Sequence, residues 1–189
     1  MNFVELILIA IGLSMDAFAV AICIGLSMQK RSIGKALIVG LYFGFFQAIM
    51  PLIGYFLGSQ FADKITAYDH WIAFILLGFI GGKMIKESIF DAETCPATIN
   101  ESLSCKMMLP LAIATSIDAL AVGISFSFFK IAIGFASLVI GIVTLLFSML
   151  GVKIGNVFGL KIKQKAEFLG GIILILLGLK IVLEHTGIL

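Results

Sequence analysis

From Phe3 to Met28 the chain is apolar apart from a few small polar residues, with charge only at Glu5 and Asp16. Five more mostly apolar stretches follow at about 33–58, 67–90, 107–129, 131–153 and 166–188. A bilayer core about 30 Å thick takes roughly 20 apolar residues as an α-helix, which also satisfies its own backbone hydrogen bonds. The pattern therefore predicts an all-α integral membrane protein with six transmembrane helices. These segments use most of the 189 residues and leave no room for a soluble catalytic domain.

Composition agrees: 61% of residues are hydrophobic, 13% are charged, and mean hydropathy is +1.18. A soluble domain carries about 25% charged residues. Ala19-Val20-Ala21 looks like a signal-peptide cleavage site. The preceding run, however, lacks Lys and Arg, is too long for an h-region and holds an acid in its middle, so no cleavage is expected.

The order of the helices hides a repeat. "SMDAFAVAI" (Ser14 to Ile22) lies over "SIDALAVGI" (Ser116 to Ile124) at an offset of 102. At an offset of 97, Gly44, Gly54 and Gly58 match Gly141, Gly151 and Gly155, while Gly81, Lys83 and Glu87 match Gly178, Lys180 and Glu184. The expected division is a first three-helix repeat over 1–90, a cytoplasmic loop over 91–106 and a second repeat over 107–189, all in one membrane domain. An odd number of spans per repeat turns the second copy over, giving the inverted topology of many secondary transporters, whose sites lie near the midplane.

Short cytoplasmic loops are enriched in Lys and Arg. One side collects Lys30, Arg31, Lys35, Lys83, Lys86, Lys106, Lys153, Lys161, Lys163 and Lys165, and the other only Lys64, Lys130 and Lys180. Both termini are thus expected outside. Cys95 and Cys105 then fall in a reducing compartment, at a spacing that fits no zinc pattern, and read as ordinary thiols.

Asp16 and Asp118 each lie about a dozen residues from their helix start, at mid-bilayer. An ionised residue there costs about 2.5–3.5 kcal/mol, so such groups face a protein interior and mark ion or substrate paths. Asp16 shares a helix face with Gly12, Ala19 and Cys23, and Asp118 with Ala114, Thr115, Ala121 and Ser125. Two carboxylates meeting between helices offer hard oxygens and two negative charges, which suit one divalent cation. In an empty site the like charges repel and favour a shared proton. Divalent cation export in exchange for protons is the mechanism this pair suggests.

Gln47 is a further metal-ligand candidate, with Met50, Pro51 and its repeat mate Thr144 as site-lining residues alongside Thr115, Cys23 and Ser125. Met50 and Cys23 read more readily as packing than as ligands. Lys83/Glu87 and Lys180/Glu184 are i to i+4 pairs near helix ends, either interfacial ion pairs or a gate at each mouth. Gly54/Gly58 and Gly151/Gly155 have the small-xxx-small spacing of close helix contacts.

The stretches "LSMDAFAVAICIGL", "PLIGYFLG", "HWIAFILLGFIGGKMIKES", "AIATSIDALAVGIS" and "KQKAEFLGG" resemble the MntP family of bacterial manganese efflux pumps, over the whole chain and in order. The resemblance implies a multi-pass protein of the bacterial inner membrane, related in fold to LysE-type carriers. It further implies transport of Mn²⁺ as cargo, with no resident cofactor, and Asp16 and Asp118 as the essential acids. Where some members of that family carry Glu, this chain has Gln47.

Other readings stay open. A LysE-like exporter of an amino acid or of another divalent cation would share the architecture, although an amino acid carboxylate would want a midplane cation and none is there. An intramembrane aspartyl protease also uses two membrane acids, but its Gly-x-Gly-Asp signature is absent, as is any Walker-type phosphate loop. The expected partners are Mn²⁺, H⁺ and the lipid bilayer, without nucleic acid. Homo-oligomerisation is left open, and no enzymatic activity is expected.

Overall fold

The computed structural model describes residues 3–28, 32–60, 69–90, 95, 103–128, 132–158 and 160–185. They form seven helical segments and, among the described residues, no strand: α1 (Phe3–Ser27), α2 (Ile33–Ser59), α3 (Asp69–Phe90), α4 (Cys105–Thr115), α5 (Ile117–Phe128), α6 (Ile133–Phe158) and α7 (Leu160–His185). Ser32 caps α2 by accepting a hydrogen bond from the Lys35 amide at 3.3 Å.

Among the described residues, four stretches are long and apolar enough to cross a membrane: Phe3–Ser27, Ile33–Ser59, Cys105–Ser127 and Ile133–Gly155. The third and sixth expected spans are helical as α3 and α7 but carry more charge, including Lys83, Lys86 and Glu87 on α3. The last helix also starts at Leu160 rather than 166, because the Lys161–Lys165 stretch expected as a loop is helical. Many large apolar side chains point outward, Phe56 at 68% and Phe79 at 75% exposure among them. Such surface is stable against lipid and not against water.

One expected span is broken. The helix anticipated over 107–129 ends at Thr115 and restarts at Ile117. Ser116 holds φ −110° and ψ 6° and donates from its amide to the Ile113 carbonyl at 3.1 Å. Hydroxyls stabilise the end: Ser116 Oγ donates to the Ala112 carbonyl at 2.6 Å, and Thr115 Oγ1 to that of Leu111 at 3.0 Å. These local acceptors compete with the helical ladder.

Packing directions follow from which backbones touch. Gly151 and Gly155 press on the carbonyls of Phe18 and Ile22, so α6 runs parallel to α1. Gly54 and Gly58 press likewise on the carbonyls of Leu120 and Ile124, so α2 runs parallel to α5. Gly44 and Gly141 meet face to face, where a methyl on either would lie 2.8 or 2.9 Å from the other's carbonyl oxygen, and Gly40 meets Leu145; α2 and α6 are therefore antiparallel. Gly81 and Gly171 meet the same way between antiparallel α3 and α7. The small-xxx-small glycines thus act as the spacing predicts, by letting backbones approach. Around these crossings lies a core that includes Leu13, Phe43, Met84, Met108, Ile140 and Leu174, all fully buried.

Candidate metal centre

Asp16 sits in the middle of α1, half-buried, with the buried residues Gly12, Ala19 and Cys23 on its face. Asp118 is half-buried in the first turn of α5, immediately past the break. Its Oδ1 accepts from the Ala119 amide at 2.8 Å, a favourable placement for an acid at a helix N-terminus. Its Oδ2 is buried with no hydrogen-bond partner. The two acids lie within electrostatic reach of one another, and Lys83 within reach of both. Two like charges within reach of one another, one with an oxygen left unsatisfied, repel in the empty site.

Gln47 is fully buried on α2. Its Nε2 donates to the Leu13 carbonyl of α1 at 3.2 Å, three residues from Asp16, while Oε1 has no partner. Thr144, its repeat mate on α6, is also fully buried with an unpartnered Oγ1. Met50 packs, partly buried, against the main apolar cluster. Thr115 ends α4 just before the break, and its hydroxyl donates to the Leu111 and Ala112 carbonyls. Ser125 is buried and its hydroxyl turns back to the Ala121 carbonyl at 3.5 Å. Among the described residues no three His, Cys, Asp or Glu side chains converge.

Cys23 requires a correction. Expected as a packing residue or a site-lining one, it is joined to Cys95 by a disulfide with a Cα–Cα separation of 5.6 Å. Cys95 is therefore not the ordinary thiol its spacing from Cys105 suggested; its partner lies 72 residues earlier in a transmembrane helix, beyond the reach of spacing rules. Cys105 is exposed, unbonded, and 2.8 Å from the Tyr42 hydroxyl. Maleimide labelling of the native protein is expected to modify Cys105 alone, and all three cysteines only after reduction and unfolding. Labelling of Cys95 without reductant would contradict the bond.

Lys83 pairs with Glu87 at 3.6 Å, with both side chains well exposed. Lys180 pairs with Glu5 at the start of α1, tying α7 to α1; the Glu184 side chain lies outside the described residues. Three features escaped sequence reasoning. The break at Ser116 was signalled by the adjacent Thr and Ser. Glu167, 6% exposed on α7, followed lysines that read as a loop. The buried hydroxyls of Ser137 and Ser148 looked like ordinary small residues.

Comparison with known proteins places the chain. The profile of the Mntp family, described as "Putative manganese efflux pump", matches residues 30–182. A protein of Desulfitobacterium hafniense named "Putative manganese efflux pump MntP" is 60% identical over 189 residues, covering 100% of this chain and 98% of the relative. Proteins of the same name from Acetivibrio thermocellus, 55% identical over 100% of this chain and 94% of the relative, and Mannheimia succiniciproducens, 53% identical over 98% of each, are similar along their lengths. These names describe transporters, not enzymes. No solved structure matches the chain. With a family profile over most of its length and full-length relatives above half identity, this chain belongs to the MntP family of manganese efflux pumps.

Proposed function

We propose that this protein exports Mn²⁺ from the bacterial cytoplasm through a midplane site built on Asp16 and Asp118, with Gln47 as a neutral ligand and protons moving inward in exchange. The observation that carries the site is the buried, unpartnered Oδ2 of Asp118 within electrostatic reach of Asp16. The names of the full-length relatives support manganese as the cargo. Oxygen ligands suit Mn²⁺ and also its hard neighbours, so the ligand set by itself allows Mg²⁺ or Ca²⁺.

The reading includes six spans arranged as two inverted three-helix repeats, over 1–90 and 107–189. Its support is the equivalence of contacts. Gly54 and Gly58 against Leu120 and Ile124 become Gly151 and Gly155 against Phe18 and Ile22 when each residue is exchanged for its repeat mate. Gly44 and Gly141, which are mates, touch each other, as they would beside a pseudo-two-fold axis. The lysine distribution supports both termini outside and the 91–106 loop inside, although Lys30, Arg31, Lys64 and Lys130 lie outside the described residues.

In this scheme the acids hold the ion while proton binding releases it, so one negatively charged pair alternates between cargo and protons. The break at Ser116 provides a point in one span at which backbone direction can change beside a site acid. Expression in an exporter-deficient bacterium under manganese load tests the reading. Total cell manganese, measured by elemental mass spectrometry, should fall relative to the empty vector. A fall in another metal with manganese unchanged would reject the cargo.

A further inference from the structure

A hydroxyl inside a transmembrane helix ordinarily turns back to a carbonyl three or four residues earlier. Ser14, Ser27, Ser59, Ser125 and Ser127 all do so. The three hydroxyls of α6 do not. Ser137, Thr144 and Ser148 are 2%, 0% and 0% exposed, and none of their oxygens has a hydrogen-bond partner. Spacings of seven and four put them on one helix face. That face also carries Gly151 and Gly155, which turn to α1, and is flanked by Gly141, which turns to α2. At the same junction the Gln47 amide spans from α2 to the Leu13 carbonyl of α1 and leaves its own Oε1 unpartnered.

Four orphaned oxygens along one helix junction are destabilising if that junction is dry, and for the hydroxyls a local acceptor was one rotamer away. We propose that Ser137, Thr144 and Ser148, with Gln47 Oε1, form a file of neutral oxygens that passes a partly dehydrated divalent cation between the centre of the protein and its outer face.

The register supports this course. Gly151 against Phe18 and Ala21, Gly155 against Ile22 and Val152 against Gly25 across parallel helices place Ser148 within about a turn of Asp16, and Phe135 against Phe3 places Ser137 within about a turn of Glu5. Eleven residues of helix rise about 16 Å, roughly half the hydrocarbon thickness. The file thus runs from the depth of the acids to the depth of the Glu5–Lys180 pair. Neutral hydroxyl and amide oxygens suit hard cations but bind them weakly enough to let go, which is what conduction away from a charged site requires.

The inference rests on the cation-transport reading, and its test separates the two. Ser137→Ala, Thr144→Val and Ser148→Ala remove only the hydroxyl from a near-isosteric side chain. The triple variant is expected to melt in detergent at or above the wild-type temperature, since unpaired oxygens are removed, while manganese export falls roughly tenfold. Ser127→Ala, a back-bonded control, should leave export unchanged. Wild-type export by the triple variant would overturn the proposal.

A second readout does not depend on cargo. In full-length Cys105→Ala protein without reductant, Ser137→Cys, Thr144→Cys and Ser148→Cys should each react with a small cationic methanethiosulfonate, and Mn²⁺ should slow the reaction. Reaction in a protein that exports no manganese would support the file and reject the cargo. Failure of all three positions to react would overturn the file.

Discussion

Neutralising either membrane acid, as Asp16→Asn or Asp118→Asn, is expected to lower manganese export at least about a hundredfold while leaving the protein folded and inserted. A hundredfold loss corresponds to about 2.8 kcal/mol, and trading one of only two charged ligands for a neutral amide halves the negative charge that holds the cation. Asparagine keeps the volume and one carbonyl oxygen, so Asp118→Asn retains an acceptor for the Ala119 amide and the start of α5. Two variants that fail with normal membrane levels implicate the charge. Asp118→Ala removes the N-terminal acceptor as well and should lose thermal stability in addition to export. Measuring export and membrane abundance together separates these effects.

Replacing Gly54 with alanine is expected to destabilise the bundle by about 1–3 kcal/mol or more, the range for overpacking a close contact. Its Cβ would overlap the Leu120 carbonyl, which is backbone and cannot rotate away. Gly155→Ala, the repeat mate, faces the Ile22 carbonyl in the same way and should match it. The informative contrast is Gly82→Ala on α3, where a methyl meets nothing within 4 Å. Relief of the glycine entropy penalty there should stabilise by about 0.5–1 kcal/mol. Unfolding in mixed micelles measures all three, and equal effects at Gly54 and Gly82 would contradict the packing described.

Much of this arrangement was legible in the sequence because the bilayer imposes it. Long apolar runs must be helices, an acid in the middle of one must face protein, and glycines four apart must mark contacts, so Asp16, Asp118, Gly54 and Gly155 could be named before any coordinates. Gln47 stood out for the same reason, as an amide deep in an apolar helix.

What escaped depends on local competition or on distance along the chain. The break at Ser116 arises because two adjacent hydroxyls take carbonyls from the helical ladder, and the equivalent Ser14 does not break α1 although it also back-bonds. Nothing in the repeat predicts that asymmetry. The Cys23–Cys95 bond joins a helix interior to a residue outside the helices, so neither periodicity nor cysteine spacing could find it. The lysines before Glu167 read as a loop because charge counting assigns them to a membrane face without saying that the helix begins there.

The most direct measurement is Mn²⁺ flux into proteoliposomes containing the purified full-length chain, with an imposed proton gradient and internal pH followed in the same vesicles. Manganese should move against the direction of proton flow in wild type, and both fluxes should vanish together in the Asp16→Asn, Asp118→Asn double variant. Manganese flux at the wild-type rate through the double variant would contradict a site built on these two acids.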